Sequence, residues 1–259
     1  MPIRLGTKEG RVAVQPSFIE EMEKIREVQR ARIMSEVRKH KRELQRSDIG
    51  TWNKRLIMKK IADLRNRYMK LLDTQADIHS GRCGLDYEIS RLRKLPYKRL
   101  LVKLHKDSMG TLHTFLIGET HKLTTTIGQE NFKNSRSQYR YQDFIGKKYE
   151  HGPYFICVDK RCLGDSELIW HIIPSPDPKS RCRHMHTSVN GHTGASNPLD
   201  FVQRTCWGSF NGIIQNLCMD GDIPEIFLLL HRFAEVLVLD DALTDMETLI
   251  SYGLCREVR

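Results

Sequence analysis

The chain lacks most of the short signatures from which an activity is read directly. Its 259 residues contain no GxxxxGK[ST] loop for phosphates, no glycine-rich dinucleotide fingerprint, no HExxH zinc pair and no GxSxG nucleophile turn. The longest apolar runs, such as residues 226 to 230, fall far short of the roughly 20 residues that a membrane span requires. The first ten residues, MPIRLGTKEG, carry charge but no apolar core of a secretion signal. These absences predict a soluble, cytoplasmic protein with no membrane contact. Seven cysteines at irregular spacing include no CxxC pair and leave one odd, which suits reduced thiols better than a disulfide framework. Internal repeats are missing as well.

What is present divides by charge. Residues 1 to 95 hold 23 Lys and Arg against 13 Asp and Glu, while residues 96 to 259 hold 19 of each, so the whole net charge of +10 sits at one end. With 39% hydrophobic residues the chain has material for a buried core. The periodicity divides in the same place. From 17 to about 46 the apolar residues Phe18, Met22, Ile25, Ile33, Val37 and Leu44 recur near helical spacing. Turn chemistry at 47 to 51 interrupts, and then Ile57, Ile61, Leu64, Tyr68, Leu71 and Ile78 follow steps of four and three, as in a coiled-coil seam. The two helices either fold back as a hairpin or pair with another copy, and the pattern is the same for both. Trp52 and Tyr68 are assigned to the apolar stripe. A short third helix, opened by Asp86, stops before Pro96.

After Pro96 the period becomes extended, over 98 to 105, 111 to 117 and 121 to 127, and again over 153 to 158 and 167 to 173. The polar and aromatic stretch 128 to 152 is expected to be an excursion from the sheet that adds nothing to the core. Helical spacing returns beyond Trp207, with one helix following Asp222. The expected fold is α+β: an antiparallel sheet meander with C-terminal helices over 86 to 259, preceded by a basic helical coiled-coil arm over 1 to 85.

The densest chemistry lies at Cys182, His184, His186, Ser188, Asn190 and His192, followed by Cys206-Trp207-Gly208. Three readings stand side by side. Cys182, His184, His186, His192 and Cys206 have the ligand types of a zinc site, the one cofactor the sequence suggests. Alternatively Cys206, just before a helix and near imidazoles, has the setting that lowers a thiol pKa. In the third reading these cysteines are small buried hydrophobes and the histidines hydrogen-bonded loop residues. Packing is the expected role of Cys83, Cys157, Cys162, Cys218 and Cys255, and His171 is expected to be a strand residue. Asp240 and Asp241 are read as charges complementing a helix dipole.

A short helix, about four antiparallel strands, a proline-rich corner at 174 to 178, histidines, a cysteine on a loop and C-terminal helices together resemble the ubiquitin-conjugating-enzyme fold over roughly 86 to 254. The resemblance implies a thioester nucleophile at Cys206 and a loop-ordering histidine at His186. It also implies an oxyanion donor, for which Ser188 or Asn190 stands in, because His186-Thr187-Ser188-Val189 replaces the family's His-Pro-Asn. The expected function is then an adaptor or assembly protein, either a cysteine-dependent acyl or ubiquitin-like transferase or an inactive relative.

The basic arm leads to the alternative, a coiled-coil structural protein of viral or mobile-element type, in host cytoplasm or virion, that binds nucleic acid. Arg38, Lys39, Lys41, Arg42, Lys59, Lys60, Arg65 and Arg67 are the candidate phosphate contacts. Such a face equally suits an acidic protein partner or a second copy of the chain. The segment 133 to 140, with Arg136, Tyr139, Arg140 and the adjoining Tyr141, mixes basic and aromatic groups as single-strand binders do, a composition that an ordinary polar loop shares.

Overall fold

The computed structural model describes residues 12–71, 85–106, 110–132, 141–163, 170–173, 211–237, 239, 246–251, 253 and 255–258. Within these the fold is α+β, with six helices and two sheets. The helices are α1 (Pro16–Leu44), α2 (Thr51–Leu71), α3 (Leu85–Leu92), α4 (Asn211–Asp220), α5 (Ile223–Glu235) and α6 (Met246–Ser251). The strands are β1 (Ala13–Val14), β2 (Tyr97–Lys106), β3 (Leu112–Thr120), β4 (Leu123–Thr126), β5 (Lys148–His151), β6 (Phe155–Asp159), β7 (Trp170–Ile173) and β8 (Cys255–Val258). No helix among them is long and apolar enough to cross a membrane.

The larger sheet runs in the order β1-β2-β3-β6-β7, antiparallel except for the two-residue β1, which pairs parallel with β2. Side chains alternate across a sheet, and this sequence alternates with them. Leu100, Leu116, Ile156 and Val158 face the helices and join one cluster with Phe227, Leu230 and Phe233 of α5, Leu92 of α3 and Ile214 of α4. Phe115, Ile117 and Cys157 form a separate buried cluster from the intervening positions. Gly118 sits where a side chain would run into the Tyr97 ring, whose hydroxyl donates to the Phe227 carbonyl at 2.8 Å.

Phe18, Met22 and Ile25 lie in the helix-facing cluster, so the first turns of α1 pack directly on the α+β core. Pro at the first position of α1 fits there, since that residue's N–H has no partner within the helix. Further along, Ile33 and Val37 leave that cluster and pack instead on Ile61, Leu64 and Leu71 of α2, with Leu44, Ile57 and Tyr68 at the margin. The seam is thus closed within one chain, as a helical hairpin. Arg67 of α2 reaches Asp220 of α4 at 3.6 Å. Arg91 of α3 holds Asp222 at 2.9 Å and Glu225 at 3.0 Å. Asp222 also caps α5 by accepting from the Glu225 N–H at 3.0 Å.

The stretch 128 to 152 corrects an expectation. Instead of an excursion it supplies β5 and much of a second core, in which Ile127, Phe132, Tyr141 and Tyr149 pack with Leu237, Leu239, Met246, Leu249 and Cys255. Aromatic rings do there what aliphatic side chains do in the larger core: Phe132 stacks on Tyr141 at 6.3 Å, and Phe144 contacts both Tyr141 and Tyr149. The second sheet, β4-β5-β8, carries this core.

Candidate functional site

Beyond the seam, the turn joining α1 to α2 leaves the hairpin end with solvent on most sides. Nine basic residues fall between 38 and 60, namely Arg38, Lys39, Lys41, Arg42, Arg46, Lys54, Arg55, Lys59 and Lys60, and all nine are exposed. Only Glu43 and Asp48 oppose them, and both are occupied. The Glu43 carboxylate is 2.8 Å from the His40 ring, and that bond, reinforced by the charges of Lys39 and Lys60, holds its pKa below the ordinary range. Asp48 is likewise held low by Arg46, 3.1 Å away. A cleft at this end of the hairpin is lined by Glu43, Arg46, Ile49, Asn53, Leu56 and Ile57.

Of the residues expected to contact phosphate, Arg38, Lys39, Lys41, Arg42, Lys59, Lys60 and Arg65 are exposed on the hairpin. Arg67 is set apart from them, half-buried beside Asp220 at the body. Tyr68 packs at the margin of the seam as expected, but Trp52 does not: it is 76% exposed. The reason lies in helix geometry. Position 52 precedes Ile57 by five residues, a rotation that carries it about 140° away from the seam. Leu56, one turn on from Trp52, is also exposed, at 46%. Tyr141, by contrast, is a buried core residue, and residues 133 to 140 lie outside the described residues.

Cys182, His184, His186, Ser188, Asn190, His192 and Cys206 all lie outside the described residues, as do Asp240, Asp241 and Cys83. Among the described residues no group of three or more His, Cys, Asp or Glu side chains is arranged to hold a metal ion. Cys157, Cys218 and Cys255 are buried, and burial pushes the thiols of Cys157 and Cys255 up to about 12. Thiols so placed stay protonated and pack as small hydrophobes. His171 lies in β7.

Two buried polar clusters belong to the body. His113 faces Asp159 at 3.5 Å, and Asp159 accepts from the Arg161 backbone N–H at 2.9 Å and from its guanidinium at 2.6 Å. The His151 ring lies 2.7 Å from the Tyr154 hydroxyl and 2.9 Å from the Thr125 hydroxyl. Thr125 donates its own proton to the Glu235 carbonyl at 2.7 Å, so Nε2 of His151 must donate to Thr125 and Nδ1 accept from Tyr154. Both ring nitrogens are used by the neutral form, and burial lowers the His151 pKa to about 4.

Compared with known protein families, curated proteins and solved structures, the chain matches none.

Proposed function

We propose that the protein binds nucleic acid through the free end of its helical hairpin, acting as an assembly or adaptor protein whose α+β body anchors the hairpin. One observation carries this reading: nine exposed Lys and Arg residues over 38 to 60 face only two acids, of which Glu43 is paired with His40 and Asp48 with Arg46, one of the nine. Such a surface gains free energy by releasing the counterions condensed on phosphates, and it needs no base-specific contact. The closed seam between α1 and α2 supports a short antiparallel coiled coil as the presenting element. Buried thiols outside any disulfide suit a reducing cytoplasm. The test is anisotropy of a labelled oligonucleotide on the whole chain. Affinity is expected to fall steeply between about 50 and about 200 mM salt, and by about tenfold or more when Arg38, Arg42, Lys59 and Lys60 are changed to Gln. Salt-independent binding, or binding untouched by those changes, would sink the reading.

A second role for the body, a ubiquitin-conjugating-like module with a nucleophile at Cys206, has its own support. β2, β3, β6 and β7 lie side by side and antiparallel, α3 precedes them, and α4 starts five residues after position 206. On this reading Cys206 is alkylated faster than Cys157 and Cys218, while the zinc alternative requires zinc to co-purify and to be lost with Cys182→Ser. Equal reactivity of all three thiols with no bound zinc would remove both chemistries.

A further inference from the structure

Charge alone gives Trp52 no role. It stands at the start of α2 with 76% of its surface in water, although the apolar stripe of that helix turns inward onto α1. Trp52, Leu56, Lys59 and Lys60 follow the spacing i, i+4, i+7, i+8, which places an indole, an aliphatic side chain and two ammonium groups along one side of α2. Leu56 also lines a cleft at the hairpin end together with Glu43 of α1 and Arg46. Along the helix axis Trp52 and Lys60 are about 12 Å apart, within the reach of one stacked base and its neighbouring phosphates.

We infer that this side of the hairpin binds single-stranded nucleic acid, with a base stacked on Trp52 and the adjoining phosphates held by Lys59 and Lys60. The inference rests on the reading of the hairpin end as a nucleic-acid site and adds to it the kind of strand and the residue that selects it. An aromatic ring with a free face suits unpaired bases, whose π-faces are open, whereas a duplex hides those faces and offers phosphates only. An anionic membrane surface also attracts Lys and Arg, but a helix that lies in a bilayer needs a broad apolar face. In α2 the continuous apolar stripe is consumed by the seam, and Trp52 and Leu56 stand among Lys54, Arg55, Lys59 and Lys60.

The experiment uses the full chain with an oligo-dT single strand, a duplex of the same length and phosphatidylglycerol vesicles, reading anisotropy and tryptophan emission. Trp170 and Trp207 also emit, so Trp52→Phe, which keeps a stacking ring without the indole, assigns the signal. Oligo-dT is expected to quench part of the emission, and Trp52→Phe to abolish that quench while binding nearly as well. Trp52→Ala is expected to weaken oligo-dT binding by about tenfold and leave duplex binding unchanged. Because the ring is exposed, neither variant should shift the melting temperature, which is measured alongside. Undiminished oligo-dT binding by Trp52→Ala, with its salt dependence intact, overturns the stacking role and leaves the charge reading standing. No binding of either nucleic acid at low salt overturns both. Vesicle binding with a blue-shifted Trp52 emission, in the absence of oligonucleotide binding, reassigns the surface to membranes.

Discussion

The single helix α1, about 44 Å long, passes through two different environments. Over its first three turns Phe18 and Met22 are fully buried and Ile25 nearly so, packed against the sheet, α3 and α5. Farther on, Ile33 and Val37 are covered by α2 among the described residues, while Arg38, Lys39, Lys41 and Arg42 face water. Gln29, which lies over Gly221 at the α4–α5 junction, marks the passage from one to the other. A helix enclosed on several sides is held by the whole core. A helix covered on one side keeps the rest of its circumference for solvent and ligands, at the cost of a thinner hydrophobic contact. The hairpin end gathers like charges just where packing contributes least, and phosphate would relieve their mutual repulsion.

The sharpest break of this contrast is in the body. Phe227 is fully buried between the sheet and Phe18, so Phe227→Ala is expected to cost about 3–5 kcal/mol in urea unfolding. A loss of less than about 1 kcal/mol would mean that the core does not converge on this ring.

Next in size is the pH response of the body. His151 is buried and its pKa is lowered to about 4 from 6.5, so the unfolded chain binds this proton more readily than the folded one. The neutral form therefore adds stability that is fully present above about pH 6.5 and lost as pH falls toward about 4, about 3 kcal/mol in all. Replacing His151 with Gln should flatten the stability profile across that window. An unchanged slope in the variant would assign the pH response to other groups.

The hairpin seam should yield a smaller and more local effect. Leu64→Ala is expected to cost about 2 kcal/mol and to reduce amide protection in α2 and the distal half of α1 first. Uniform loss of protection through β2, β3 and α5 would show the hairpin and body to be one cooperative unit. Smallest of all, changing Lys59 and Lys60 to Gln should alter stability by no more than about 0.5 kcal/mol, measured by thermal melting.

Most regular elements were legible because their periodicity is local. The spacing of Phe18, Met22, Ile25, Ile33 and Val37 marked α1 almost to its ends, and the strands β2, β3, β4, β6 and β7 lie within or close to the extended runs. β5 and β8 were missed because four-residue strands reading KYEH and CREV have little apolar alternation of their own. They pair with each other, joining the middle of the sequence to its last strand, Tyr149 opposite Glu257 and His151 opposite Cys255. Trp52 was misassigned although the signal was available, since counting back five residues from Ile57 turns it away from the seam. The candidate cations were visible as a group, but not the pairing of Arg67 with Asp220.

By itself the sequence determined where the charge lies, which stretches are helical or extended, and that the fold combines helices with antiparallel strands. Those properties follow from spacing within one element or from composition. The tertiary structure decided which half of α1 is enclosed, which aromatic rings make a second core and which cations are consumed by ion pairs. Each of these depends on a partner far away in the chain, as Phe18 meets Phe227 and Tyr149 meets Glu257. Local periodicity names the face that must be buried, and only the packed chain names what buries it.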